Sequence, residues 1–258
     1  MFGVVPKVLW QRRMPPDENN RIANTTNCLL VEAGRDLVLI DTGLGGKLSD
    51  KMRSIYALDE SASRMPENLE AAGFEPGDVT HVLLTHLHFD HCGWSTRVGT
   101  AGLEPTFPNA RYWINRTELA HARDPNDRDR ISYLPDNWEP LFDAGLVELF
   151  DEAEPCAGIR AVEAGGHSPG MCIVLLDGGG GERGVFFADL VPTAAHVPYA
   201  WIMAYDLEPM KTLEAKKEWL PRACEGDWLC FFEHDPGVPA GRLIEEHPGR
   251  FKVRPEQV

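Results

Sequence analysis

The chain has 258 residues, 43% of them hydrophobic, which is enough for one large domain with a sizeable core. Its formal net charge of −15 repels polyanions, so nucleic acid is not an expected partner. The longest apolar runs fall far short of the ~20 residues that cross a bilayer, and the N-terminus lacks the pattern of a secretory signal. We therefore expect a cytoplasmic protein that does not enter a membrane.

Two apolar segments open the predicted fold. Residues 28–33 and 36–41 flank Gly34, which accepts the positive φ of a tight turn, so they predict a β-hairpin. The spacing of apolar residues over 61–73 predicts a helix. A further apolar strand, over 79–85, runs directly into a cluster of histidines.

This histidine cluster is the segment His86-x-His88-x-Asp90-His91. Imidazole and carboxylate ligands suit Zn²⁺ or Fe, and alternate side chains of a tight turn face two points, so one cluster can supply two ions. An exposed histidine turn that binds metal adventitiously is the alternative. The apolar strand before the cluster and Gly93 after it favour a functional site, at the strand end where α/β sheets carry their chemistry.

The middle of the chain predicts a strand over 111–115 and a short helix over 117–123. The stretch 124–140 is charged and rich in turn-forming residues, yet it carries the apolar side chains of Tyr133 and Trp138. We interpret it as a loop insertion with an apolar underside that covers a substrate pocket.

The last part of the chain predicts strands over 158–163, 171–176, 184–188 and 227–232, and a helix over 207–223. Three candidate metal ligands follow strand ends: His167, Asp189 and His234. Taken singly, each has an ordinary interpretation as a turn cap or a structural histidine. Three such coincidences after a dense histidine cluster favour one shared site.

With these residues the sequence resembles the metallo-β-lactamase superfamily, whose signature is an H-x-H-x-D-H segment followed by a distant His, an Asp and a final His. The resemblance extends from Asn24 to about Asp235. It implies an α/β fold, the αβ/βα four-layer sandwich, in which two mixed sheets pack face to face with helices outside. We expect one such domain over residues 1–258, with 124–140 as its pocket-covering insertion.

The resemblance also implies a centre of two divalent metal ions. By position, the first ion is expected on His86, His88 and His167, and the second on Asp90, His91 and His234, with Asp189 bridging both. Asp41 matches the family's strand-end aspartate, which supports the histidine loop without binding metal. Zn²⁺ is the expected metal, with Fe, Mn and Co as alternatives.

The implied chemistry is hydrolysis. Two cations lower the pKa of a bridging water from about 15.7 toward ~7, so a metal-bridging hydroxide is the expected nucleophile, and Asp90 is the candidate proton acceptor. Segments 85–91 and 167–170 resemble the N-acyl-homoserine lactonases, which implies a small-molecule lactone or ester substrate and a role in quorum quenching. Those lactonases often carry a tyrosine where this chain has Pro192.

Three other functions remain open at this stage. The stretch 189–195 is closer to organophosphate hydrolases typified by methyl parathion hydrolase, which cleave phosphotriesters and aryl esters. A glyoxalase II-like thioesterase is the second alternative. A non-catalytic metal-binding protein is the third, and the full dinuclear ligand set argues against it because structural zinc closes its coordination with four ligands on one ion. The sequence also leaves a homodimer open.

Aromatic residues near the predicted loops are candidates to line an apolar pocket for an acyl chain or aryl group. They are Trp94, Trp138, Tyr199 and Trp201. Each has an alternative as an ordinary core or loop-anchoring residue. Tyr199 and Tyr205 are candidate replacements for the tyrosine absent at Pro192, and His196 is either a pocket residue or a loop residue.

Overall fold

The structure is a computed structural model that describes residues 1–59 and 63–257. Its helices are α1 (Lys7–Trp10), α2 (Asp50–Tyr56), α3 (Met65–Ala71), α4 (Phe89–Cys92), α5 (Arg116–Arg123), α6 (Glu139–Asp143) and α7 (Pro209–Glu225). Its strands are β1 (Leu29–Ala33), β2 (Asp36–Ile40), β3 (His81–Leu83), β4 (Thr96–Gly99), β5 (Gly102–Pro105), β6 (Arg111–Asn115), β7 (Val147–Phe150), β8 (Ala153–Cys156), β9 (Ile159–Glu163), β10 (Cys172–Gly179), β11 (Glu182–Phe186), β12 (Leu229–Phe231), β13 (Ala240–His247) and β14 (Arg250–Pro255). None of these described helices has the length and apolar composition needed to cross a membrane.

The chain divides into two compact units. Residues 28–156 form one, named here the β1–β8 unit, and residues 1–27 with 157–258 form the other, the β9–β14 unit. The helix predicted over 61–73 is confirmed as α3, although residues 61 and 62 lie outside the described part of the chain. The single-domain organisation stays a prediction.

The β1–β8 unit contains a mixed sheet in the order β1-β2-β3-β6-β7. β1 and β2 form the predicted antiparallel hairpin, whereas β2, β3, β6 and β7 are parallel to one another. The segments that follow β2 and β3 therefore leave the sheet at the same edge. Val82 and Leu84 are buried in the core of this unit, so the strand that enters the histidine cluster is firmly anchored.

In the β9–β14 unit the strands are paired in the order β14-β13-β12-β11-β10-β9. β10 is antiparallel to both β9 and β11, and β12 is parallel to β11, so β9, β11 and β12 all end at one edge of the sheet. The glycine-rich segment 178–184 is mostly strand. β10 continues to Gly179 and β11 begins at Glu182, which leaves only Gly180 and Gly181 as the turn.

α7 confirms the helix predicted over 207–223, and it carries a buried lysine. The Nζ of Lys216 donates to the carbonyl oxygens of His196, Pro198 and Trp201, at 2.6, 2.8 and 2.9 Å. Three acceptors match the three N–H groups of an ammonium. The helix thereby fixes the loop over residues 196–201.

His196, which the sequence left between a pocket role and a loop role, is fully buried. Its ring stacks on that of Phe2 with a centroid distance of 4.5 Å, and its Nδ1 lies 2.7 Å from the Thr193 hydroxyl. Burial and the neighbouring Lys216 ammonium lower the pKa of His196 to about 3. The imidazole is therefore neutral at neutral pH and serves as a packing residue.

This buried histidine predicts a loss of stability in acid. Between about pH 6.5, the pKa of an unfolded histidine, and about pH 3, the unfolded chain binds a proton at residue 196 that the folded chain does not bind. The free energy of unfolding should then fall by up to about 1.4 kcal/mol per pH unit as the pH drops through this window. We expect His196→Gln to lose this part of the slope in urea unfolding of the metal-free protein. The same change at the exposed His247 is the control, and equal slopes for both variants and the wild type would contradict the assignment.

Candidate metal centre

In the β1–β8 unit, Asp41 organises the histidine cluster. It follows β2 with a φ of 55°, a left-handed conformation that aspartate tolerates better than most residues. Its buried carboxylate accepts hydrogen bonds from the Thr85 amide (2.7 Å), the Thr85 hydroxyl (2.6 Å) and His91 Nδ1 (3.0 Å). These are the contacts of a residue that supports the loop rather than one that binds an ion.

Hydrogen bonds also decide which ring nitrogen carries the proton in His86 and His91. A carboxylate only accepts hydrogen bonds, so His91 Nδ1 donates to Asp41. The Thr85 hydroxyl donates its one hydrogen to Asp41, so at its contact with His86 Nδ1, at 3.1 Å, the hydroxyl oxygen is the acceptor. Both rings therefore keep a lone pair on Nε2. His86 Nε2 lies 3.1 Å from His88 Nδ1, and two ligand atoms at about 2.1 Å from one tetrahedral ion are about 3.4 Å apart.

The turn after the cluster leaves no room for side chains. A Cβ on Gly93 would lie 2.1 Å from the carbonyl carbon of Leu44, and a Cβ on Gly45 would lie 2.2 Å from the oxygen of Gly93. The Gly93 amide donates to the Gly43 carbonyl at 2.7 Å. Glycine at these positions lets the loop that follows Asp41 lie directly against the cluster.

Glu118 is a buried carboxylate that the sequence analysis missed. Its Oε1 accepts from the Leu87 amide at 3.1 Å and from the Tyr133 hydroxyl at 3.0 Å, and the Tyr133 ring lies 4.7 Å from the His88 ring. Leu87 sits between two histidines of the cluster. Glu118 and Tyr133 are thus a second support for the cluster, besides Asp41.

The segment 124–140, predicted as a pocket-covering loop, supplies Tyr133 and Trp138 to the core of the β1–β8 unit. Trp138 is fully buried in this core, and its assignment to a substrate pocket stays a prediction. The apolar underside of the segment supports the histidine cluster, and its role as a cover stays a prediction.

In the β9–β14 unit, Asp189 lies between two histidines. Its Oδ2 is 3.0 Å from His167 Nε2, and its Oδ1 is 3.0 Å from His234 Nε2. All three residues are more than nine-tenths buried. They follow β9, β11 and β12, whose common edge explains why residues far apart in sequence meet here.

The far ring nitrogens of these two histidines face acceptors. His167 Nδ1 is 3.0 Å from Asp206 Oδ1, and His234 Nδ1 is 2.7 Å from the carbonyl oxygen of Thr25. Ionised carboxylates and carbonyls carry no hydrogen, so each ring holds a proton on Nδ1 and turns Nε2 toward Asp189. When His234 is neutral, the lone pair of its Nε2 points at the Asp189 Oδ1 atom, and the two electron-rich atoms repel each other. A cation between them removes this repulsion.

Without a metal ion, His167 carries a proton on Nε2, between its ring and the Asp189 carboxylate. Burial lowers the pKa of His167, but the Asp189 and Asp206 carboxylates outweigh it and raise the pKa to about 10. His167 is therefore cationic at neutral pH in the metal-free protein. An ion that binds its Nε2 displaces that proton, so metal uptake is expected to release protons.

Each unit thus carries a preformed group of the predicted ligands. The β1–β8 unit holds His86, His88, Asp90 and His91, and the β9–β14 unit holds His167, Asp189 and His234. Four of these five imidazoles have a fixed Nδ1 proton. Imidazoles beside carboxylates are a donor set that suits divalent zinc-like ions, so the residues present fit the predicted metals. Asp90 is half-buried, with Oδ1 3.9 Å from His91 Nε2.

The remaining pocket candidates are all partly exposed. Trp94 donates through Nε1 to the Ser63 hydroxyl at 3.2 Å. The Tyr199 ring packs on Phe251 with a centroid distance of 5.9 Å. Trp201 forms part of the wall of a cavity of about 330 Å³ within the β9–β14 unit.

Known proteins resemble this chain along most of its length. The family model described as the Metallo-beta-lactamase superfamily matches residues 21–230. A probable metallo-hydrolase from Mycobacterium bovis is 28% identical over 252 residues, which cover 84% of this chain and 76% of that protein. An N-acyl homoserine lactonase from Bacillus cereus is 26% identical over 159 residues, 58% of this chain and 57% of the lactonase.

Solved structures share the fold. A probable metal-dependent hydrolase from Staphylococcus aureus superposes with a TM-score of 0.89 at 30% identity, over 100% of this chain and 92% of that one. AidC, described as a dizinc quorum-quenching lactonase in complex with a product, gives a TM-score of 0.75 at 24% identity, over 91% of this chain and 80% of that one. The predicted fold class is confirmed.

Proposed function

The chain belongs to the metallo-β-lactamase superfamily and is a metal-dependent hydrolase, and on this basis we propose that it opens lactones of the N-acyl-homoserine type at a centre of two divalent ions, with Zn²⁺ as the expected metal. The observation that carries the dinuclear part is Asp189, whose two carboxylate oxygens each face a different buried histidine of the β9–β14 unit. A carboxylate that uses both oxygens in this way is suited to bridge two ions.

We assign seven ligands to these ions by their positions in the family signature. The first ion would bind His86, His88 and His167, and the second Asp90, His91 and His234, with Asp189 shared. Two features of this chain support the assignment. Nδ1 protons are fixed on four of the five histidines, and the His86–His88 nitrogen spacing is near that of a tetrahedral pair.

Ions bound by these residues would supply a hydroxide near neutral pH and would polarise the substrate's carbonyl oxygen. The chain's own side chains then have two tasks. Asp41 and Glu118 hold the histidine cluster in place. Asp90, whose side chain is 27% exposed whereas His91 is fully buried, would accept the proton released in the attack and return it to the leaving alkoxide.

Support for a lactone substrate comes from the Bacillus lactonases, which match 58% of this chain at 26% identity. The lactonase tyrosine is absent at Pro192, whose carbonyl instead accepts from the His234 amide at 2.9 Å. Tyr199, which is half-buried, and Tyr205, which is 58% exposed, stay candidates for its role.

A hydrolysis panel with the zinc-loaded full chain tests the proposal. We expect kcat/KM for N-hexanoyl-homoserine lactone to exceed those for an aryl ester, a paraoxon-type phosphotriester and S-lactoylglutathione by at least about tenfold, equivalent to about 1.4 kcal/mol. Chelator-treated protein is the control and should be inactive. A preference for the phosphotriester would favour the organophosphate hydrolase alternative, and a preference for the thioester the glyoxalase II alternative. Two bound ions with no turnover of any substrate would favour a non-catalytic protein.

Three other expectations stay predictions within this proposal. They are a cytoplasmic location, a homodimeric assembly and zinc rather than Fe, Mn or Co as the native metal. Metal analysis of protein purified without added metal, together with its mass in solution, tests the last two.

A further inference from the structure

Asp206 makes a contact that neither the family signature nor the sequence analysis assigns. It lies between the loop that carries His167 and helix α7, and it is 2% exposed. One carboxylate oxygen, Oδ1, is 3.0 Å from His167 Nδ1, and the other, Oδ2, accepts from the Thr212 hydroxyl at 2.7 Å. A buried carboxylate held at both oxygens has little freedom to rotate.

The backbone around Asp206 is tied to the same loop. The Leu207 amide donates to the His167 carbonyl at 3.2 Å, and the Glu208 amide donates to the Gly166 carbonyl at 2.8 Å. These two bonds fix residues 206–208 against residues 166–167, so the carboxylate reaches the imidazole from a rigid frame.

Glycine makes this close approach feasible. Gly166 has a φ of +89°, and a Cβ there would lie 2.3 Å from Thr212 Oγ1 and 2.7 Å from Thr212 N. Any side chain at residue 166 would push the His167 loop away from the first turn of α7. The loop, the helix and the carboxylate therefore form one interlocked support.

We propose that Asp206 is a positioning residue for metal binding, which holds His167 with its proton on Nδ1 and so directs Nε2 at the ion. The inference rests on the proposed metal centre. A carboxylate at the Nδ1 proton orients the ring and makes the ligating nitrogen more basic, and loss of such a partner typically weakens metal affinity by about 10- to 100-fold.

The test measures zinc affinity and the protonation of His167, without reference to turnover. For Asp206→Ala we expect the weaker of the two zinc equivalents to bind about 10- to 100-fold less tightly in competition with a chromophoric chelator. The Nδ1–H signal of His167 in ¹H–¹⁵N spectra of the zinc-loaded chain should be lost or shifted. Asp206→Asn retains an acceptor oxygen and should restore that signal and part of the affinity.

Two further variants keep the test decisive. Thr212→Val removes the hydroxyl that anchors Oδ2 and should weaken zinc binding by a few-fold, even if Asp206→Ala fails to fold. Glu208→Gln removes an exposed charge two residues away, which faces Lys211 at 3.8 Å, and should bind zinc like the wild type.

Zinc affinity within twofold of wild type in Asp206→Ala, with an unchanged Nδ1–H signal, would overturn the inference. Failure of the proposed function has a different signature. A wild-type chain that binds two zinc ions but opens no lactone would leave the role of Asp206 intact. A wild-type lactonase with an unaffected Asp206→Ala variant would refute only the positioning role.

Discussion

Replacing Asp189 with asparagine is expected to lower kcat/KM for the lactone by at least about 1000-fold, equivalent to about 4 kcal/mol of transition-state stabilisation. Asp189 faces His167 and His234 at 3.0 Å with a different oxygen each, so an amide can satisfy only one of the two sides as an acceptor. The change also removes the negative charge that would be shared by two ions. Steady-state kinetics of the zinc-supplemented variant and metal analysis measure the effect, and zinc content should fall below two ions per chain.

Asp177→Asn is the matched control for this prediction. Asp177 is exposed on β10 in the same sheet and lies 3.9 Å from Arg183, so the same chemical change should leave both activity and metal content near wild type. Two zinc ions and activity within threefold of wild type in Asp189→Asn would refute the assignment of Asp189 as a ligand.

The second large effect is on stability, and it concerns Asp41. We expect Asp41→Asn to lower the free energy of unfolding of the metal-free protein by about 2–4 kcal/mol. The buried carboxylate accepts from Thr85 twice and from His91 once, and an amide would turn its own N–H group toward at least one of these donors. Asparagine tolerates the left-handed backbone at this position, so the loss reports on the hydrogen bonds rather than on backbone strain.

Urea unfolding in the presence of a chelator measures this loss. Asp36→Asn, at the other end of β2, is the control because Asp36 is only partly buried and lies 3.8 Å from His81, so it should cost less than about 1 kcal/mol. If Asp41→Asn matched the control, the carboxylate would not be the support of the histidine cluster.

The parts of the fold that the sequence predicts well are those with strong apolar strands. Short apolar runs, over 82–84 and 185–188, precede His86 and Asp189, and the structure contains strands there as β3 and β11. β13 and β14 were missed because their outer residues are charged and exposed, so neither an apolar run nor a clean alternation marks them.

The supports of the metal ligands were harder to predict than the ligands themselves. Glu118 stands three residues after Asn115, a pattern that indicates a capping box, and Asn115 does cap α5. The Glu118 carboxylate nevertheless binds the Leu87 amide, a partner 31 residues away that local sequence does not reveal. Asp206 has the same difficulty, because its partner His167 precedes it by 39 residues.

One of these supports is a main-chain oxygen. His234 donates its Nδ1 proton to the main-chain oxygen of Thr25, and the neighbouring Asn27 bonds to the carbonyl oxygens of Phe232, Glu233 and Asp235. Every amino acid at position 25 keeps that carbonyl, so a substitution there would remove only the bond from the Thr25 hydroxyl to the Glu233 carbonyl at 3.3 Å. Trimming the chain past residue 25, or circularly permuting it there, would instead disturb the carbonyl that accepts from His234 Nδ1. No substitution elsewhere restores that acceptor, so residue 25 is the practical limit for an N-terminal truncation of this enzyme.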